Sequence, residues 1–140
     1  MGTWYLTKLI YFIYKMKESI INNEVLNAIA IMLQNELKVV SPVDTGRLRS
    51  SINVKSTDRG LLISMVGYGK NVEFGTPPHA ISPEELKGWS KRKLKDENLA
   101  YSVAEKIMRY GTRPNPFIRN TLSLKFPQIV KEAIKENIKK

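Results

Sequence analysis

The sequence of 140 residues has no cysteine and a single histidine, His79. The first absence excludes disulfides, thiolate nucleophiles and Cys-based zinc or iron–sulfur sites. The second leaves any metal to carboxylates, and the Asp and Glu residues are too scattered to suggest a site, so neither metal nor cofactor is expected. Long hydrophobic runs are also missing. The most apolar stretch, Trp4 to Tyr14, is interrupted by Lys8 and closed by Lys15 and Lys17, well short of the roughly 20 residues that span a bilayer. It has no positive region before it and no small-residue cleavage site after it, so it does not read as an export signal. A cytoplasmic product without membrane contact is expected, with this stretch buried against its own fold or a neighbouring subunit.

What is present suits one packed domain. At 42% hydrophobic the chain has enough apolar material for a real core. The net charge of +10 favours phosphate backbone, anionic lipid or an acidic protein surface. The positives gather at Lys87, Lys91, Arg92, Lys93 and Lys95, and again at Lys125, Lys131, Lys135, Lys139 and Lys140. The aromatic residues among them, Trp89 and Phe126, fall on the apolar faces of their segments rather than alternating with the cations as a stacking platform needs, which favours solvated helix faces over a nucleic-acid site.

From Ser19 to Val39 the apolar residues recur at the three-and-four spacing of an amphipathic helix. This helix is expected to run back through an N-terminal extension over residues 1–18, with Asn22 and Asn23 as places for a break or cap, and to stop at Ser41-Pro42. Residues 19–140 then form a single domain. Ser51–Ser56 and Leu61–Val66 read as a β-hairpin around Asp58-Arg-Gly60, and Tyr68–Phe74 as a third short strand between glycines. Ser82, Pro83 and Glu85 form a helix-start signature with the features of a capping box. Asp96 opens the next helix, with Gly111 as its stop. Phe117 to the C-terminus is helical in pattern, and Pro127 should split it. The expected fold is α+β: a small antiparallel sheet of about three to four strands, packed with a long N-terminal helix and further C-terminal helices. No internal repeat or low-complexity tract is visible.

Asp44-Thr45-Gly46 matches the active-site triplet of aspartic proteases, in which two such aspartates share a proton. Only one copy is present, so activity would require a dimer. The triplet follows Ser41-Pro42-Val43 rather than a buried strand, which favours a side-chain turn at Asp44 and positive φ at Gly46. His79 has no fixed partner among Ser82 and Ser90, and Glu84 and Glu85 are adjacent on a helix and so diverge. Gly67, Gly69 and Gly75 lack the spacing of a phosphate loop. Trp89, Tyr101 and Phe117 fall on apolar faces and are expected in the core.

Four separated pieces, taken in order, resemble the tail-component family of long-tailed bacteriophages, small neck or tail-completion proteins. They are Ser41-Pro-Val-Asp-Thr-Gly-Arg-Leu-Arg-Ser-Ser-Ile52, with Asp44, Thr45, Gly46, Leu48 and Arg49; Val72-Glu73-Phe74-Gly75-Thr76; Pro78-His79-Ala-Ile-Ser-Pro83 with Leu86 and Trp89; and Gly111-Thr-Arg-Pro114-Asn-Pro116-Phe117. The resemblance implies a ring-forming structural subunit at the head–tail junction or head-proximal tail end, without catalysis. Its partners would be further copies of itself and other neck, portal or tail proteins, with possible contact to packaged DNA. It also implies location in the virion, with assembly in the host cytoplasm. On that basis Val72, Glu73, Phe74 and Phe117 are candidate contacts between subunits, and Arg47 and Arg49 are candidate partners for Glu73, Glu84 or Glu85. The same motifs equally fit a role in shaping the monomer. The alternatives are a basic DNA-binding module centred on residues 87–95 and a dimeric aspartic protease using Asp44.

Overall fold

Asn22 accepts a 3.0 Å hydrogen bond from the Val25 amide on its side-chain oxygen, and helix α1 (Asn23–Val40) starts there. The computed structural model describes residues 22–58 and 60–138; the proposed backward extension of the helix over residues 1–18 lies outside them. Ser41 ends α1 in an extended conformation, as a residue before proline should. The Arg49 guanidinium donates to the Val39 and Ser41 carbonyls, placing a cation where the helix dipole is negative.

After α1 come α2 (Arg47–Ser51), β1 (Asn53–Thr57), β2 (Gly60–Ser64), α3 (Gly69–Phe74), α4 (Pro83–Leu94), α5 (Leu99–Tyr110), α6 (Phe117–Leu124) and α7 (Phe126–Ile138). The two strands pair antiparallel, from Asn53 opposite Ser64 to Thr57 opposite Gly60. Helix α1 packs against β1 and against α6 and α7. Its residues Val25, Leu26, Ile29, Leu33 and Leu37 join Leu48, Ile52, Val54, Phe117, Leu122, Phe126, Ile129 and Ala133 in one buried cluster. Gln34 of α1 accepts from the Val54 amide at 2.9 Å, so the helix also satisfies a strand donor that the hairpin leaves free.

The sheet has two strands among the described residues, not three to four. Tyr68–Phe74, expected as a strand, is instead the short helix α3. Its one glycine packs poorly as strand, whereas the helix seats Gly69 against Met65 and Leu48 so closely that an added Cβ would lie 2.4 Å from the Met65 sulfur. The mixed α+β character holds, with helix predominating.

Local signals at other boundaries behave largely as their chemistry suggests. Gly111 closes α5 at φ +71, and its amide returns to the Ile107 carbonyl at 2.8 Å. The C-terminal pattern splits at Lys125, with Pro127 in the first turn of α7, where its missing N–H costs no helical bond. Ser82 caps α4 by accepting from Glu84 at 3.3 Å, so the amide it takes is one residue earlier than a capping box to Glu85 requires. The helix expected from Asp96 begins at Leu99, because the Asp96 carboxylate is engaged by the Asn98 amide at 2.9 Å in a turn that precedes it.

Candidate functional site

Helix α6 starts at Phe117 behind Pro116, which has no side-chain oxygen to cap it. Glu73, from α3, fills that place. Its two carboxylate oxygens accept from the Ile118 and Arg119 amides, each at 2.9 Å. The Arg119 side chain closes the arrangement, donating from Nε to the Glu73 carboxylate at 3.1 Å and from Nη2 to the Glu73 carbonyl at 2.9 Å. Its guanidinium also lies 5.0 Å from the Phe74 ring centre. Glu73 is only 3% exposed. A carboxylate with both oxygens bonded at a helix N-terminus is compensated by amide donors, the dipole and a cation together, which is what makes its burial tolerable.

The next two residues meet their counterparts across 36 positions. Thr76 and Thr112 form an antiparallel bridge, with N–H to carbonyl distances of 3.2 and 3.1 Å and their hydroxyls 2.8 Å apart. Gly75 and Gly111, each preceding one of these threonines, share φ +71 and pack reciprocally. A Cβ on Gly75 would lie 2.5 Å from the Thr112 carbonyl oxygen, and one on Gly111 would lie 2.0 Å from that of Thr76. Both the backbone conformation and the close approach require glycine. Asn115, between Pro114 and Pro116, donates its amide to the Val72 carbonyl at 2.7 Å. The stretches Val72–Thr76 and Gly111–Phe117 are therefore one structural unit, a clasp that ties α3 to the start of α6 (Phe117 itself is buried in the core).

The loop before α2 makes a second long-range contact. Both carboxylate oxygens of Asp44 accept from the Arg92 guanidinium, each at 2.7 Å, and Lys93 donates to the Val43 carbonyl. The hydrogen bonds from Arg92 hold the Asp44 carboxyl below its ordinary value against the opposing effect of burial, with the charges of Arg92 and Lys93 adding to the lowering. The expected turn, from Asp44 to a following amide, gives way to this pair because a bidentate guanidinium is the stronger partner. An ionised Asp44 bound to Arg92 is also the wrong starting point for a proton-sharing aspartate pair. Gly46 takes φ +85, as anticipated, and starts α2, which places Leu48 in the core. Thr45 is exposed.

The remaining candidates are dispersed. His79 is exposed, with Nδ1 2.9 Å from the Pro77 carbonyl oxygen. The Ser82 hydroxyl caps α4, and that of Ser90 donates to the Asp96 carbonyl at 2.6 Å. No nucleophile–base pair is assembled from these three. Trp89 is half-buried, whereas Tyr101, expected in the core, is 53% exposed. It lies on the flank of α5, with the Lys87 ammonium 5.7 Å from its ring centre. Glu73, Glu84 and Arg49 are each engaged within the chain, to Arg119, Lys87 and the end of α1 respectively, and Arg47 lies over the Tyr68 ring. Of the 87–95 cations, Lys87, Arg92 and Lys93 likewise have partners inside the chain. Among the described residues no group of His, Asp and Glu could hold a metal ion, and no helix is long and apolar enough to cross a membrane.

Residues 14–75 match the model of a protein family described as "Bacteriophage HK97-gp10, putative tail-component". That is the family resemblance, shown over this stretch. The matched residues carry the Asp44-Thr-Gly46 loop, the hairpin and the Val72–Gly75 motif, and stop one residue before the end of the clasp's first half. No curated protein and no solved structure matches the chain. Gly111–Phe117 lies beyond the matched residues, yet Glu73 and Gly75 within them are bound to it directly.

Proposed function

We propose that the chain is a structural virion protein, a ring-forming subunit at the phage head–tail junction or the head-proximal end of the tail. It acts without catalysis, and its partners are further copies of itself and neck, portal or tail proteins met during assembly in the host cytoplasm. The observation that carries this reading is the family match over residues 14–75, whose motif residues serve to fix the fold. Asp44, Glu73 and Gly75 are committed to ion pairing, helix capping and close packing. A side chain bound in this way fits a scaffold better than a reactive centre, which needs a group free to gain or lose a proton.

Closed rings use two unlike patches, each complementary to the other. The chain offers apolar side chains at separate places: Tyr101, Met108 and Tyr110 on α5 are 53%, 54% and 72% exposed, and Ile31 and Val39 on α1 are 62% and 71% exposed. Light scattering on the purified chain across a concentration series tests the ring. The expected result is a discrete oligomer whose mass stops growing at a fixed multiple of 16.0 kDa. A species that stays monomeric at every concentration, or grows without limit, opposes it.

A further inference from the structure

Helices α4 and α5 pack on each other, and the residues they bury are small, Ser90 on α4 and Ala100 and Ala104 on α5. No residue of either helix joins the buried cluster around α1. The segment leaves and re-enters the rest of the fold at one point, the Thr76–Thr112 bridge. Residues 76–112 are thus a helical arm closed at its own base.

Its second attachment lies at the other end. Arg92 and Lys93 are in the last turn of α4 and bind Asp44 and Val43. At 1.5 Å rise per residue, Arg92 is about 14 Å along the helix axis from Pro83 at the base. Among the described residues, these are the arm's side-chain hydrogen bonds to the rest of the chain. The pair is open to solvent, with the Arg92 and Asp44 side chains 48% and 30% exposed, so ions and competing carboxylates can reach it.

We propose that residues 76–112 are a hinged arm, pivoting at the Gly75/Gly111 clasp and latched against the loop before α2 by Arg92 on Asp44. With the latch closed the arm is held at base and tip. With it open the arm is held at the base alone and moves as a rigid pair of helices, its internal contacts intact. The latch answers to salt, to acid and to any carboxylate that takes Arg92 from Asp44. If the chain assembles as a ring, an acidic group on the neighbouring subunit would be such a competitor, and arm release would accompany docking. The hinge itself does not depend on the ring.

The absence of native cysteine makes the test direct. Spin labels at Asn35→Cys on α1 and Ser102→Cys on α5, both exposed positions, report the distance from body to arm in the isolated chain by pulsed electron resonance. The native background should give one narrow distribution. Asp44→Asn and Arg92→Gln should each broaden it and add a longer population, with an unchanged helical circular dichroism spectrum. About 1 M salt, where the screening length falls to about 3 Å, should do the same without mutation. A distribution that stays narrow in both variants and in high salt overturns the latch. Diluting the doubly labelled chain into an excess of unlabelled chain keeps the readout intramolecular, so it does not depend on whether the protein oligomerises.

Discussion

Replacing Glu73 by alanine removes the cap of a helix that has no other. The Ile118 and Arg119 amides lose their acceptors in a buried setting, and the Arg119 side chain loses its carboxylate partner. An unsatisfied buried donor costs about 1–3 kcal/mol, and losing an N-terminal cap typically costs about 1 kcal/mol. These overlap, because the cap consists of the same two bonds, so the expected loss is about 3 kcal/mol. For a domain of this size that lowers the melting temperature by about 10 °C. Glu73→Gln should cost roughly half as much, since its carbonyl oxygen still serves one amide while its NH2 faces the other donor. The assay is equilibrium unfolding in urea followed by circular dichroism, with the slope of the transition unchanged in both variants, so that the shift reports stability. If Glu73→Ala lies within about 0.5 kcal/mol of the native chain, the capping argument is wrong. Equal losses for alanine and glutamine would mean that charge, not the acceptor count, is what matters.

Other substitutions follow from the same geometry. Gly111→Ala would place a Cβ 2.0 Å from the Thr76 carbonyl oxygen at φ +71 and should destabilise the fold by about 2 kcal/mol or more in thermal unfolding. Lys95 is the one described non-glycine residue with positive φ, at +62, so Lys95→Gly at this helix end should raise stability by about 0.5–1 kcal/mol in the same assay. The carboxyl of Asp44 is held low by Arg92, with Lys93 the other cation facing it. A depressed carboxyl contributes stability above its unfolded value, about 3.9, and loses it as pH falls through the lower folded value. The stability difference between the native chain and Asp44→Asn should therefore be flat above about pH 5 and shrink toward zero below about pH 4, as measured by denaturation at each pH.

The parts of the fold legible in the sequence are those decided by neighbours a few residues away. Asn22 as a cap, the stop at Ser41-Pro42, Gly111 as a terminator and the break near Pro127 each depend on backbone chemistry within one turn. The hairpin was readable for the same reason, since two residues separate Thr57 from Gly60. What was not readable was set at a distance. Residues 69–74 fold as a helix whose Glu73 meets amides 45 and 46 positions on, and no local pattern announces such a partner. Asp44 forgoes a local turn for an arginine 48 positions away. Tyr101, Leu94 and Met108 have the spacing of core residues but remain 53%, 40% and 54% exposed, because periodicity marks an apolar face without saying how many layers cover it. The Gly-Thr pairs at 75–76 and 111–112 were visible as motifs. Their repetition of one dipeptide was the available hint that they meet.

The most direct test of the central claim, that this is a structural component of a phage particle, is its copy number in purified virions, measured by quantitative mass spectrometry after heads and tails are separated. The account predicts a small, fixed number of copies per particle, retained through density-gradient purification and found with the tail or at the head–tail junction. Absence from purified virions produced by cells that synthesise the chain, or a copy number that varies from preparation to preparation, would contradict it.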